Sequence, residues 1–252
     1  MTRSLMLRSL TLATLMSPLV GGPAMARDYD PYTPPAAVAL PPPPSYSSAY
    51  DSIDRYRAAE QRALAWQRTF NAAPSRSWEE SNAARRRDDS LREAMGHVNA
   101  ALATRQLSAS EIEKLALEFN SKFNAAPSRS SIETFYAEAR DASARAFVPA
   151  LEHSLHGLKV SRREEIAVSM NAKFNAAPSR STIETMYAQA RDRALASALD
   201  RLRSQLRQLS TSYLYDLERS YGQKFNAAPS RSSLETYYKT AREYVQSELN
   251  YR

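Results

Sequence analysis

After residue 78 the apolar residues recur with a helical rhythm. They are Ile132, Phe135, Tyr136 and Ala139 in one stretch, then Ile183, Met186, Tyr187 and Ala190, then Leu234, Tyr237, Tyr238 and Ala241. Each set has the i, i+3, i+4, i+7 spacing of one helix face. The stripes extend through Leu151, Leu155 and Leu158, and through Leu199, Leu202, Leu206 and Leu209. A shorter stripe precedes each set: Leu115 and Phe119, Ile166 and Met170, Leu217 and Tyr221. The pattern predicts a short helix of about 14 residues followed by a longer one of about 25, roughly 21 and 38 Å at 1.5 Å per residue. The first copy departs from it. Trp78 is followed by Glu79, Asn82 and Ala83, and apolar positions resume only at Leu91, Met95, Val98 and Leu102. An atypical outer copy is what a stack of repeats requires at its end.

Between the two stripes of every copy lies one unchanged octapeptide, Phe-Asn-Ala-Ala-Pro-Ser-Arg-Ser. It occupies Phe70–Ser77, Phe123–Ser130, Phe174–Ser181 and Phe225–Ser232, with starts 53, 51 and 51 residues apart. A fixed period of this size marks a repeat architecture. The proline lacks an N–H and pushes the preceding alanine out of the α region, so the first helix has to end there. The final serine, with a glutamate three residues later, forms a Ser-x-x-Glu capping box that starts the next helix. The pairs are Ser77/Glu80, Ser130/Glu133, Ser181/Glu184 and Ser232/Glu235. Ser110/Glu113 and Ser161/Glu164 have the same form and predict the starts of the short helices, with Ser212 in the equivalent place. Pro149 predicts a kink in the second long helix.

These elements predict an all-α fold of four helix–Pro break–helix repeats forming a bundle or a solenoid-like array. The repeats fall at 51–107 (atypical), 108–158, 159–209 and 210–252, the last with a shortened long helix. Composition agrees with this. Ala, Arg, Glu, Leu and Ser dominate after residue 50, and the 252 residues include only 5 Gly, so turns needing positive φ should be scarce.

The N-terminal part reads differently. Residues 1–26 carry Arg3 and Arg8, an apolar stretch from Leu10 to Val20, no acidic residue, and Ala24-Met25-Ala26. This is the form of a cleaved secretory signal. It predicts a periplasmic or secreted protein with no membrane span after cleavage; an organellar lumen is the alternative. Residues 27–50 hold Pro31, Pro34, Pro35 and Pro41–Pro44, which predicts a semi-rigid polyproline II spacer.

Without Cys, disulfides and thiolate metal sites are excluded. There is no phosphate-binding Gly loop and no His-Glu-x-x-His or Gly-x-Ser-x-Gly motif. His97, His153 and His156 do not recur with the repeat. We therefore expect no enzyme, no cofactor and no metal. The net charge of +7 falls to +5 if the signal is removed, and it favours an anionic partner. Acidic residues are mixed throughout, which disfavours nucleic acid. The partner expected is an acidic protein or an anionic polymer of an envelope or matrix, and self-association remains open.

Within the octapeptide, Phe, Pro and the last Ser have structural explanations. Asn and Arg do not, so the candidate binding residues are Asn71, Arg76, Asn124, Arg129, Asn175, Arg180, Asn226 and Arg231. A second candidate is a ridge of Tyr136, Arg140, Tyr187, Arg191, Tyr238 and Arg242, in which each Arg precedes an acid. Lys122, Lys173 and Lys224 also recur, one residue before the phenylalanine. The function these features predict is a non-enzymatic, multivalent scaffold or adaptor. The alternatives are an organellar linker that condenses an abundant enzyme, and a purely structural envelope or matrix protein.

Overall fold

A computed structural model describes residues 48–252; the expected signal and nearly all of the Pro-rich spacer lie outside them. Helix α1 (Ala49–Ala72) starts within the last residues assigned to the spacer, because Ser48 and Asp51 form a full capping box there. The remaining helices are α2 (Trp78–Ala103), α3 (Ala109–Ala125), α4 (Ser131–Leu155), α5 (Val160–Ala176), α6 (Thr182–Gln205), α7 (Thr211–Ala227) and α8 (Ser233–Tyr251). The 3₁₀ turn Leu206–Gln208 extends α6. No strand occurs among the described residues.

The helices pair as α1/α2, α3/α4, α5/α6 and α7/α8, each joined by one octapeptide, so the fold is an all-α array of four helical hairpins. The long helices of neighbouring hairpins pack on one another, α2 on α4, α4 on α6 and α6 on α8. Links between hairpins are short, so corresponding helices run parallel. The four octapeptide junctions therefore line one edge of the array.

The stripes read from the sequence form the core. Phe119, Phe147, Met186 and Leu214 are fully buried, as is Tyr56. Fully burying one such apolar side chain contributes about 1.5–3 kcal/mol. Aromatic contacts cross the hairpin boundaries: Tyr56 of α1 meets Phe119 of α3 at 5.4 Å, and Phe147 of α4 meets Tyr187 of α6 at 6.5 Å, both edge to face. The outward face of the first hairpin is polar. Glu79, Asn82 and Arg86 stand where the next copy has Ile132, Phe135 and Ala139.

Three local expectations are corrected. The short helices α3, α5 and α7 have 17 residues each, and α1 has 24. They start earlier than Ser110, Ser161 and Ser212: the caps are Ser108, boxed with Glu111, then Lys159 and Ser210. This leaves Glu113 and Glu164 free for other partners. Positive φ is also not scarce. Arg76, Arg129, Arg180 and Arg231 all adopt φ near 60°, as does Arg105 at 56°. Helix α4 includes Pro149 and continues to Leu155.

Candidate functional site

Each junction is built the same way. The first helix ends at the first alanine of the octapeptide, and the second alanine is extended, as a residue before proline has to be. Ala126 and Ala177 pack partly against the core, which explains why this position is small. Pro-Ser-Arg-Ser then closes a tight turn. The N–H of the last serine donates to the proline carbonyl at 3.1 Å in the first copy and 3.3, 3.2 and 3.2 Å in the others. That serine's hydroxyl accepts the third helical N–H at 3.0–3.1 Å.

The glutamate does not complete the expected box. The cap N–H is already taken by the proline carbonyl, so Glu80, Glu133, Glu184 and Glu235 accept instead from the backbone N–H of the arginine one residue earlier. This bond fixes the arginine in the left-handed region. An L-residue there costs about 1–2 kcal/mol, and glycine or asparagine is the usual occupant. The turn thus favours Gly, yet Arg is present in all four copies.

The arginine side chains project outward. Arg76, Arg129, Arg180 and Arg231 are exposed, and their guanidinium groups make no hydrogen bond, ion pair or ring contact among the described residues. The serine before each arginine is exposed as well. So are Asn71, Asn124, Asn175 and Asn226; only Asn71 is bonded, accepting from Gln67 at 2.8 Å.

In the second candidate set the tyrosines lie inside the array, Arg140 and Arg191 are largely covered, and Arg242 is half-exposed. Tyr136, Tyr187 and Tyr238 are buried on the helix stripes. Arg140 and Arg191 stack on the octapeptide phenylalanines Phe123 and Phe174 at 4.7 and 4.9 Å, and Arg87 stacks on Phe70 at 5.1 Å. Arg242 instead pairs with Glu218 at 2.6 Å. The same arginines bond Asp88, Asp141 and Asp192 at 2.8 Å.

The recurring lysines make a joint that was not expected. Lys122 of the second hairpin reaches back to Glu60 of the first at 2.7 and 2.9 Å, to Tyr56 at 3.0 Å, and to Glu118 at 2.8 Å. Lys173 reaches Glu113 at 2.6 Å, and the Tyr187 hydroxyl donates to the same carboxylate at 2.7 Å. Lys224 reaches Glu164 at 2.5 Å, where Tyr221 and Tyr237 donate at 2.9 and 2.7 Å. Every hairpin boundary therefore carries one Lys–Glu–Tyr node. Glu60, Glu113 and Glu164 recur with the spacing of the octapeptide, which is the signal that could have revealed them. The last hairpin has Tyr215 at this position.

The node predicts alkaline unfolding. Burial pushes the Tyr56, Tyr136, Tyr187, Tyr221 and Tyr237 phenols above their ordinary value. For Lys122, burial pulls the ammonium down, but bonds to Glu118, Glu60 and Tyr56 outweigh it and raise the value overall. Groups raised in the folded state contribute stability that is complete below their unfolded pKa and is lost as pH rises through the folded one. Stability should be insensitive to these groups below about pH 9.5 and fall steeply above about pH 10, the ordinary tyrosine value. Circular dichroism and phenolate absorbance should change together. Phenolate appearing with full helicity retained would contradict this.

Among the described residues no group of three His, Cys, Asp or Glu could hold a metal, and no helix is long and apolar enough to cross a membrane. His153 and His156 are exposed, with rings 6.0 Å apart.

No family model, curated protein or solved structure matches this chain.

Proposed function

We propose that this chain is an exported, non-enzymatic scaffold or adaptor that binds a partner through its four octapeptide junctions. The single observation that carries this reading is the arginine of the turn. It holds a backbone conformation better suited to glycine, and its side chain serves no contact within the fold. A residue kept against local preference at an exposed site is a candidate for recognition. Four copies on one rigid edge raise the effective concentration of each contact after the first. The guanidinium fork suits carboxylate or phosphate, so the partner is an acidic protein or an anionic polymer, and the export signal expected from the sequence supports an encounter in the periplasm or outside the cell.

The exposed junctions favour this reading over a purely structural rod, in which the arginines would be expected to pair internally. The test is to change Arg76, Arg129, Arg180 and Arg231 to Ala cumulatively and to measure retention of the parent's partners on the immobilised protein. Avidity should fall with each step, and the fourfold variant should retain little. A fourfold variant that retains its partners as tightly as the parent would sink the proposal.

A further inference from the structure

We propose that the junction edge binds a linear, carboxylate-bearing polysaccharide, anchored at the first hairpin by Trp78; this inference rests on the scaffold reading above. Trp78 is 75% exposed, at the first position of α2, directly after the first octapeptide. Its indole makes no hydrogen bond or ring contact among the described residues. The equivalent positions in the other copies are Ser131, Thr182 and Ser233. One end of the arginine row therefore carries a large free aromatic face. Exposed Trp beside Arg is the composition of a binding hot spot, not of a solvated turn.

The chemistry along the edge is mixed. Each junction offers one guanidinium, one serine hydroxyl and one side-chain amide, and the amides of Asn124, Asn175 and Asn226 have no partner among the described residues. Each also carries the capping glutamate, so the net charge per junction is near zero. A dense polyanion such as nucleic acid gains its affinity from many uncompensated cations, which this edge does not offer. A sugar chain of moderate charge asks for what is present: hydroxyls and amides that both donate and accept, a guanidinium for the occasional carboxylate, and an aromatic ring for the apolar face of a pyranose.

The spaces between the junctions fit the same partner. Shallow grooves run between successive long helices. Arg180, Thr182 and Thr185 line the one between α4 and α6, and Arg231, Ser233 and Thr236 line the one between α6 and α8. The Thr182, Thr185 and Thr236 hydroxyls donate within the fold, to Asp141 and to the carbonyls of Ser181 and Ser232, and present acceptor lone pairs to the grooves. Asp88, Asp141 and Asp192 also line the three grooves, but each is neutralised by its bonded arginine. An acidic peptide is less well served. Peptides are commonly captured by adding a strand to a sheet edge or by laying an apolar helix face in an apolar groove. The described residues hold no strand, and the grooves, although lined in part by Leu91, Met95 and Phe135 or by Leu195 and Leu199, carry hydroxyls and charges on their exposed rims. Adjacent packed helices lie about 10 Å apart, so the four arginines span roughly 30 Å, which suits one extended chain.

The test is a titration of residues 27–252 with three probes: polygalacturonate, neutral dextran of similar length, and poly-glutamate. Polygalacturonate should bind, dextran should not, and poly-glutamate should bind at least tenfold more weakly. Trp78→Ala should weaken polygalacturonate binding about tenfold and Trp78→Phe by less, with an unchanged helical spectrum and melting point, since the side chain is unpacked. Failure of polygalacturonate to bind, or binding that is indifferent to Trp78→Ala, overturns the inference. Arg-dependent binding of poly-glutamate alone also overturns it, while leaving the scaffold reading in place. Loss of partner retention on fourfold Arg substitution tests that reading separately.

Discussion

Glu164→Ala is expected to destabilise the C-terminal hairpin by about 2–4 kcal/mol, the cost of leaving two buried hydroxyl donors without their acceptor. Glu164 is 6% exposed and accepts from Lys224, Tyr221 and Tyr237 at once. Its loss strands two buried phenol hydroxyls at the boundary between α5 and the α7/α8 hairpin, while the ammonium of Lys224, whose side chain is 42% exposed, turns to solvent. Glu164→Gln keeps the acceptor oxygen and the shape but loses the charge, so it should cost about half as much. In a stacked array each hairpin is stabilised by its neighbours, and the damage should stay local. Hydrogen exchange should accelerate in α7 and α8 while α1 to α4 keep their protection. Uniform loss of protection along the chain would show that the node is not a boundary element. A Glu164→Ala, Tyr221→Phe double variant should recover part of the loss, because it removes one of the stranded hydroxyls.

Changing Arg76, Arg129, Arg180 and Arg231 together to Gly should leave the array as stable as the parent or somewhat more so, and should abolish partner retention. Glycine relieves the left-handed strain of about 1–2 kcal/mol at each turn but makes the unfolded chain more flexible, so the net gain is about 0.5–1 kcal/mol per junction. The backbone N–H that Glu80, Glu133, Glu184 and Glu235 hold is still present. A role in packing predicts the opposite, loss of stability with the substitution. The alanine series keeps most of the strain, so comparing Gly with Ala separates backbone effects from side-chain effects.

Much of this was legible in the sequence, for reasons that can be named. Apolar residues at three and four spacing identify the long helices, and Pro followed by Ser-x-x-Glu identifies their starts, because both are local effects. The left-handed arginine was not legible. Nothing in Pro-Ser-Arg-Ser signals a positive φ, since the cause is the glutamate four residues on, which claims the arginine N–H. Glu113 and Glu164 were read as caps because Ser-x-x-Glu also describes them, and only the three-dimensional stack shows the lysine of the next hairpin above each one. Tyr136, Tyr187 and Tyr238 belonged to an apolar stripe as well as to a candidate ridge. A helix residue cannot face the core and the solvent together, and burial won: Tyr136 bonds Glu60, Tyr187 bonds Glu113, and Tyr238 packs against the Tyr221 and Tyr237 rings.

The most direct test of a repeated recognition edge combines melting with binding on one protein. The fourfold Arg→Gly variant of residues 27–252 should melt at or above the parent's temperature and retain none of the parent's partners on an affinity column. A variant that melts lower, or that retains those partners undiminished, would contradict the account.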